Sequence, residues 1–172
     1  MHTLPLFSSL IVCFLININL LYSTDLDNIK IIKKSGKNIY AVSDHKVYTF
    51  NHNKPQSVFE SKEPITAMLP VNNSFIVCTE KEILFQNPKQ LLIKIKHNLA
   101  KPKFISLTLS ADGKIYVASQ MDGVFEIKND SLVLFHYTFP INSINSTSDT
   151  STWLATNIGL IKTKLLKWKW RR

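Results

Sequence analysis

The feature that most constrains this chain is an internal repeat. Four segments align on a short apolar run that ends in a small residue and a hydroxyl: Val42-Ser43, Cys78-Thr79, Ala118-Ser119 and Ala155-Thr156. The hydroxyls stand at 43, 79, 119 and 156, a period of about forty residues. Gly36, Asn72-Asn73 and Asp112-Gly113 precede the first three anchors as turn signals. Val47-Tyr48, Ile83-Leu84, Val124-Phe125 and Leu160-Ile161 follow the anchors, with Gly123 and Gly159 just ahead of the last two pairs. All four glycines thus fall at turns of the repeat. Pro64-Ile65, Pro102 ahead of Phe104-Ile105, and Pro140-Ile141 open three of the units. Proline donates nothing to a sheet ladder, so it belongs where a strand begins.

The third unit shows what the repeat folds into. Phe104–Leu109 reads as a strand, and Asp112-Gly113 as a type I′ hairpin turn, in which both central residues take positive φ. Lys114–Ser119 is the second strand, Asp122-Gly123 another turn, and Val124–Lys128 the third strand. Asn129-Asp130 leads into a fourth strand over Leu132–His136. Four short antiparallel strands in about forty residues make the blade of a β-propeller. A sandwich or barrel also spaces its strands regularly. It does not require proline, turn, aromatic and small-hydroxyl to recur in one order.

The expectation is an all-β chain of about four four-stranded blades, near 29–62, 65–100, 104–138 and 141–170, following an N-terminal segment over 1–23. The last strand of the fourth blade falls on Leu166–Trp170, where Leu166, Trp168 and Trp170 alternate with Lys167 and Lys169. Propellers close with about four to eight blades, so an incomplete ring is expected as readily as a closed one. An open arc exposes sheet edges and core side chains. Self-association, missing blades supplied by a partner, or truncation of a longer product follow from that.

The N-terminal segment carries an apolar run from Leu10 to Leu21, broken by Asn17 and Asn19. It is shorter than the ~20 residues of a spanning helix and reads as a secretory signal peptide. The protein is therefore expected to be exported, to a periplasm, a cell surface or the medium. Beyond Cys13, inside that run, only Cys78 remains, so no internal disulfide is expected. Cys78 lies in an apolar strand and reads as a buried small hydrophobe.

The net charge is +9. Lys162, Lys164, Lys167, Lys169, Arg171 and Arg172 supply most of that excess, so the body of the chain is nearly balanced. No basic helix, finger spacing or aromatic stacking motif accompanies the charge, and nucleic acid is not an expected partner. His45, His52, His97 and His136 are dispersed without metal-ligand spacing. No phosphate loop, nucleophile elbow or carboxylate pair is present. No catalytic residue, metal or cofactor is expected.

Gly113-Lys-Ile-Tyr-Val-Ala-Ser-Gln-Met-Asp-Gly-Val-Phe-Glu-Ile and Trp153-Leu-Ala-Thr-Asn-Ile-Gly-Leu-Ile resemble the two-component regulator propeller repeat. That repeat has the form Gly-x-aromatic/Ile-Trp-Val-Gly/Ala-Thr, a turn, then Gly-Leu-Tyr. The resemblance implies kinship with periplasmic sensor propellers of bacterial hybrid histidine kinases and with surface or secretion-associated propellers. It implies an extracytoplasmic ligand, carbohydrate among the candidates, or a protein partner. The expected function is an exported, non-enzymatic binding module. The alternatives are an adhesion or secretion scaffold and a fragment of a propeller enzyme such as a lyase or glycosidase. In such folds the loops between second and third strands line one face. Here those loops carry His45, Lys46, Lys81, Gln120, Asp122 and Asn157, the candidate ligand-binding residues.

Overall fold

The computed structural model describes residues 28–51, 54–87, 89, 91–136, 140–148 and 151–164. The signal segment over 1–23, Cys13, His52 and the strand expected over Leu166–Trp170 lie outside them. The described secondary structure is entirely β. Blade 1 holds β1 (Ile31–Ser35), β2 (Asn38–Val42), β3 (Lys46–Asn51) and β4 (Lys54–Glu60). Blade 2 holds β5 (Ile65–Val71), β6 (Ser74–Thr79), β7 (Ile83–Gln86) and β8 (Leu92–Lys94). Blade 3 holds β9 (Phe104–Leu109), β10 (Ile115–Ser119), β11 (Gly123–Lys128) and β12 (Ser131–His136). Blade 4 holds β13 (Ile141–Ser146), β14 (Ser151–Thr156) and β15 (Gly159–Lys164). Each sheet pairs its strands in chain order.

The first strands β1, β5, β9 and β13 pack on one another in sequence, and the ring is not closed. Alternation decides which side chains fill the space between blades. In β2, Tyr40 and Val42 face blade 2, where they meet Phe75 and Val77 of β6. The other face of β6 sends Ile76 and Cys78 toward Phe104, Leu107 and Val117 of blade 3. Tyr116 and Ala118 of β10 then face Ile141, Ile144 and Leu154 of blade 4. A strand sandwiched between two blades is apolar on both faces, and β6 is buried along its whole length. Core residues of this kind contribute about 1.5–3 kcal/mol each when fully buried.

A backbone hydrogen bond ties each blade to the next at the same place. The residue after the repeat hydroxyl offers its carbonyl, and the first residue of the next blade donates: Ile65 N–H to Asp44 at 2.6 Å, Phe104 to Glu80 at 2.9 Å, Ile141 to Gln120 at 2.9 Å. Blades 2 and 3 are also joined at the outer rim, where Lys96 N–H donates to the Asp130 carbonyl and Leu132 N–H to that of Lys96. Between blades 3 and 4 hydroxyls take over part of the packing. Ser106 Oγ accepts from Ile144 N–H at 3.2 Å, and Thr108 Oγ1 from Ser146 N–H at 3.0 Å. They satisfy N–H groups of the edge strand β13, which would otherwise lack partners.

The hairpin chemistry differs from expectation at two turns. Asp112-Gly113 is not a type I′ turn. Ser110 pairs with Lys114 across three residues, Gly113 N–H donates to the Ser110 carbonyl at 3.0 Å, and only Gly113 has positive φ (+80°). That is a three-residue loop whose single left-handed position is taken by glycine. The turn with two left-handed residues is Asn129-Asp130, with φ of 49° and 55°. Asparagine and aspartate tolerate that region better than other side chains, so no glycine is needed there.

Burial has a titration consequence. Tyr116 is 1% exposed, and desolvation, with Glu126 and Asp112 adding to it, pushes its phenol up to about 12. A raised phenol leaves the neutral form favoured in the fold, so this contribution is full below the ordinary tyrosine value and is lost as pH rises through the folded value. Alkaline titration followed at the phenolate absorbance is expected to show Tyr116 ionising late, coincident with loss of the far-ultraviolet β signal. Replacement by Phe removes that coincidence. Early, non-cooperative ionisation of every tyrosine would contradict the burial. No helix of the described residues is long and apolar enough to cross a membrane.

Candidate functional site

The repeat hydroxyls are turn caps. Ser43 Oγ accepts from Lys46 N–H at 3.1 Å. Thr79 Oγ1 accepts from Glu82 N–H at 3.0 Å. Ser119 Oγ donates to the Asp122 carboxylate at 2.5 Å and accepts from Lys103 N–H at 3.3 Å. Thr156 Oγ1 donates to the Gly159 carbonyl at 2.7 Å. Each hydroxyl is buried and closes the connection between the second and third strands, where a buried polar group needs partners. The recurrence of Ser or Thr thus has a structural cause in every blade.

Those turns carry the six candidate residues to one end of the four sheets. His45, Lys81, Gln120, Asp122 and Asn157 are not joined to one another by any hydrogen bond or ion pair; each is engaged locally. His45 Nδ1–H donates to the Ser61 carbonyl at 3.1 Å. Lys81 donates to Glu63 at 2.9 Å, a contact that holds the Glu63 carboxyl below and the Lys81 ammonium above their ordinary values. Asp122 is held by Ser119. Gln120 offers its carbonyl to Ile141, and Asn157 donates its N–H to Pro140. Lys46 opens β3. The acids of these turns, Asp44, Glu80 and Glu82, contact Lys30, Lys103 and Lys94, respectively. Exposed pairs of this kind add little stability, but they leave this end a row of neutralised charges.

Beside Lys81 a cavity of about 460 Å³ is lined by Glu82, Lys94, Ile95, Lys96 and His97. His97 packs edge-on to Phe104 at 5.3 Å. Its Nε2–H donates to the Lys81 carbonyl at 3.1 Å, while its Nδ1 is buried without a hydrogen-bond partner. Among the described residues no group of His, Cys, Asp or Glu is arranged to hold a metal ion. Burial pushes the Cys78 thiol far up, which removes it as a nucleophile.

A second groove, of about 390 Å³, opens between blades 1 and 2 at the opposite end of the sheets. Blade 1 contributes Asn38, Thr49 and Gln56 with Tyr40 and Phe50; blade 2 contributes Asn73, Ser74, Gln86 and Asn87 with Phe75. Among the described residues no charged side chain lines it. Tyr40 and Phe75 meet edge to face at 5.8 Å and form its floor, while Asn38, Gln56 and Asn73 are exposed at its mouth. Sequence reasoning missed this groove. Its residues are scattered over five strands, and the one available signal was the excess of amides at strand ends.

Blades of antiparallel strands stacked through their faces around an axis define the β-propeller class. No protein-family model and no curated protein matches the sequence. Solved structures do match in fold. The extracellular domain of a B. thetaiotaomicron hybrid two-component system superposes with a TM-score of 0.68 at 14% identity, over 84% of this chain and 22% of that one. Virginiamycin B lyase of Staphylococcus aureus gives 0.65 at 14% identity, over 82% of this chain and 57% of that one. The WD40 β-propeller domain of Doa1 gives 0.64 at 14% identity, over 78% of this chain and 49% of that one. The chain therefore spans between about a fifth and somewhat over half of these structures' own lengths, and the likeness is one of fold.

Proposed function

We propose that the protein is an exported, non-enzymatic propeller module, akin to the sensor propellers of two-component regulators, that binds a neutral, hydroxyl-rich ligand such as an oligosaccharide. The observation that carries the reading is the uncharged groove between blades 1 and 2. Amide side chains both donate and accept, so Asn38, Gln56, Asn73 and Asn87 match a ligand whose hydroxyls do the same. Binding sites commonly combine an apolar floor with a few polar groups, and Tyr40 and Phe75 supply that floor. The turn end of the molecule, by contrast, has its charges engaged in pairs. Export is supported by the apolar run from Leu10 to Leu21 and by the extracellular origin of one structural neighbour.

Calorimetric titration against a panel of neutral oligosaccharides tests the site. At least one is expected to bind, and Gln56→Ala with Asn73→Ala to weaken it about tenfold or more, the loss of two hydrogen bonds. Lys81→Ala is expected to leave affinity unchanged. Failure of the whole panel, or equal binding by the groove variant, would overturn the reading. One structural neighbour is a lyase; incubation with virginiamycin B is expected to leave that compound intact, and its consumption would establish an enzyme.

A further inference from the structure

We propose that the groove between blades 1 and 2 selects oligosaccharides that carry an acetamido group, held at Gln86 and Asn87. The fold fixes which half of each amide is offered. Gln86 Nε2–H donates across the joint to the Val58 carbonyl at 3.4 Å. A carbonyl only accepts, so the nitrogen of Gln86 must face Val58, and its Oε1 is left as an acceptor. Asn87 is fixed the other way round. Its Oδ1 accepts from Lys89 N–H at 3.0 Å and from Leu91 N–H at 2.9 Å. Backbone N–H groups only donate, so oxygen must sit there, and the Nδ2 group is left as a donor. Asn87 N–H donates in turn to the Leu91 carbonyl at 3.1 Å, which closes the loop from both sides. Two consecutive residues thus offer one acceptor and one donor, and neither amide can flip without losing its partners. Asn38, Gln56 and Asn73, which line the same groove, make no side-chain hydrogen bond among the described residues. They can turn to suit a hydroxyl; Gln86 and Asn87 cannot.

A secondary amide is the complement of this pair. Its N–H donates and its C=O accepts, from separate atoms. The surroundings supply a third element. Gln86 stands directly across the ladder from Phe75, and such neighbours lie about 4.5–5.5 Å apart at Cβ. Phe75 is on the face of β6 that meets Tyr40 and Phe59 of blade 1. Phe50 and Val58 are half-buried in the blade 1 wall. An apolar wall beside a fixed acceptor and a fixed donor matches the N–H, the C=O and the methyl of an acetamido group. A hydroxyl answers both polar groups only where they converge on one oxygen, and it leaves the apolar wall in water. A carboxylate or ammonium meets no counter-charge among the described lining residues. The exposed amides of Asn38, Gln56 and Asn73 favour a sugar over a peptide as the carrier. A saccharide brings hydroxyls to them, whereas an extended peptide docks by pairing along a sheet edge, and this groove lies between two sheet faces.

Calorimetric titration of the full chain with matched neutral sugars, differing only in acetamido for hydroxyl, tests the preference. N-acetylglucosamine against glucose, N-acetylgalactosamine against galactose, and diacetylchitobiose against cellobiose are such pairs. In at least one pair the acetamido member is expected to bind about tenfold tighter or more. Asn87→Asp is the deciding variant. Aspartate keeps the oxygen that accepts from Lys89 and Leu91 but replaces the donor by a second acceptor. The β spectrum and thermal midpoint are therefore expected to hold while the preference falls about tenfold. Saturation-transfer NMR on the unaltered protein reads the site without any variant: the acetyl methyl is expected to give the strongest signal of the bound sugar.

Because the preference presupposes an oligosaccharide groove, the two fail differently. Hydroxyl members that bind as tightly as their acetamido partners overturn the preference and leave the oligosaccharide reading in place. Binding by no sugar overturns both. A preference that survives in folded Asn87→Asp, or a methyl signal weaker than those of the ring protons, removes the acetamido group from this site. Equal binding of a neutral capped peptide, N-acetylglycine N-methylamide, overturns the proposal in favour of peptide amides.

Discussion

Replacing Phe104 by Ala lowers the unfolding free energy by about 3–5 kcal/mol. The side chain is 0% exposed and lies at the start of β9, between the two central blades, among Ala67, Ile76, Cys78, Ile83 and Val117. Its removal costs the transfer free energy of the ring and leaves a cavity that stacked sheets cannot collapse into, because their spacing is set by the remaining joint. The effect is also mechanical. In a repeat protein each unit contacts only its neighbours, and stability is roughly a sum of unit and joint contributions. Weakening the middle joint uncouples two halves, so urea unfolding is expected to broaden as well as to shift. Domain stabilities are about 5–15 kcal/mol, so this one ring carries a large share. Val133→Ala, on an exposed face of β12, is the control and is expected to change stability by less than about 0.5 kcal/mol. Equal midpoints for the two variants would show that Phe104 is not at the core of a blade joint.

Ser119→Ala is the second large effect, about 1–3 kcal/mol. Ser119 is 0% exposed and ties two parts of the molecule together through one oxygen. It donates to Asp122 in its own turn and accepts from Lys103 in the segment entering blade 3. Alanine leaves the Lys103 N–H without that partner and removes the anchor of a carboxylate. Hydrogen bonds to charged groups contribute about 1.5–3 kcal/mol, so Asp122→Asn should recover part of the loss when combined with Ser119→Ala. A double-mutant cycle by urea denaturation reads the coupling. Strict additivity would mean that the Ser119–Asp122 contact contributes nothing. Ser119→Thr, the residue type at the matching positions 79 and 156, is expected to retain most of the stability.

The architecture was largely legible in the order of residues because its determinants are local. Proline at strand entries, glycine at the left-handed loop positions and the alternation of apolar side chains act within a few residues of one another. They located the blades and even singled out the hydroxyls that cap their turns. Where two local signals competed, the reading failed. Asp112-Gly113 has the composition of a two-residue hairpin turn, but Ser110 binds both Asp112 and the Lys114 backbone and widens the loop to three residues. Asn129-Asp130, without glycine, took the tighter turn instead.

The candidate site was legible only as a set of loops. The sequence placed His45, Lys46, Lys81, Gln120, Asp122 and Asn157 at equivalent turns, and the structure puts those turns at one end of the sheets. It also engages the side chains of His45, Lys81 and Asp122 separately: Glu63, which neutralises Lys81, comes from the connection between blades 1 and 2.

By itself, then, the sequence determined the unit: a four-stranded meander of about forty residues, apolar on both faces in its second strand, with a hydroxyl closing its central turn. Such features follow from backbone geometry and from period-two alternation, which any short segment carries. Only the tertiary structure decided what the units do together. The amides of the groove belong to β2, β4 and β7 and to the connections around them, and they meet because blade 1 packs against blade 2 at a particular stagger. How strongly the described blades curve about their axis is decided in the same way, by how side chains interdigitate between sheets.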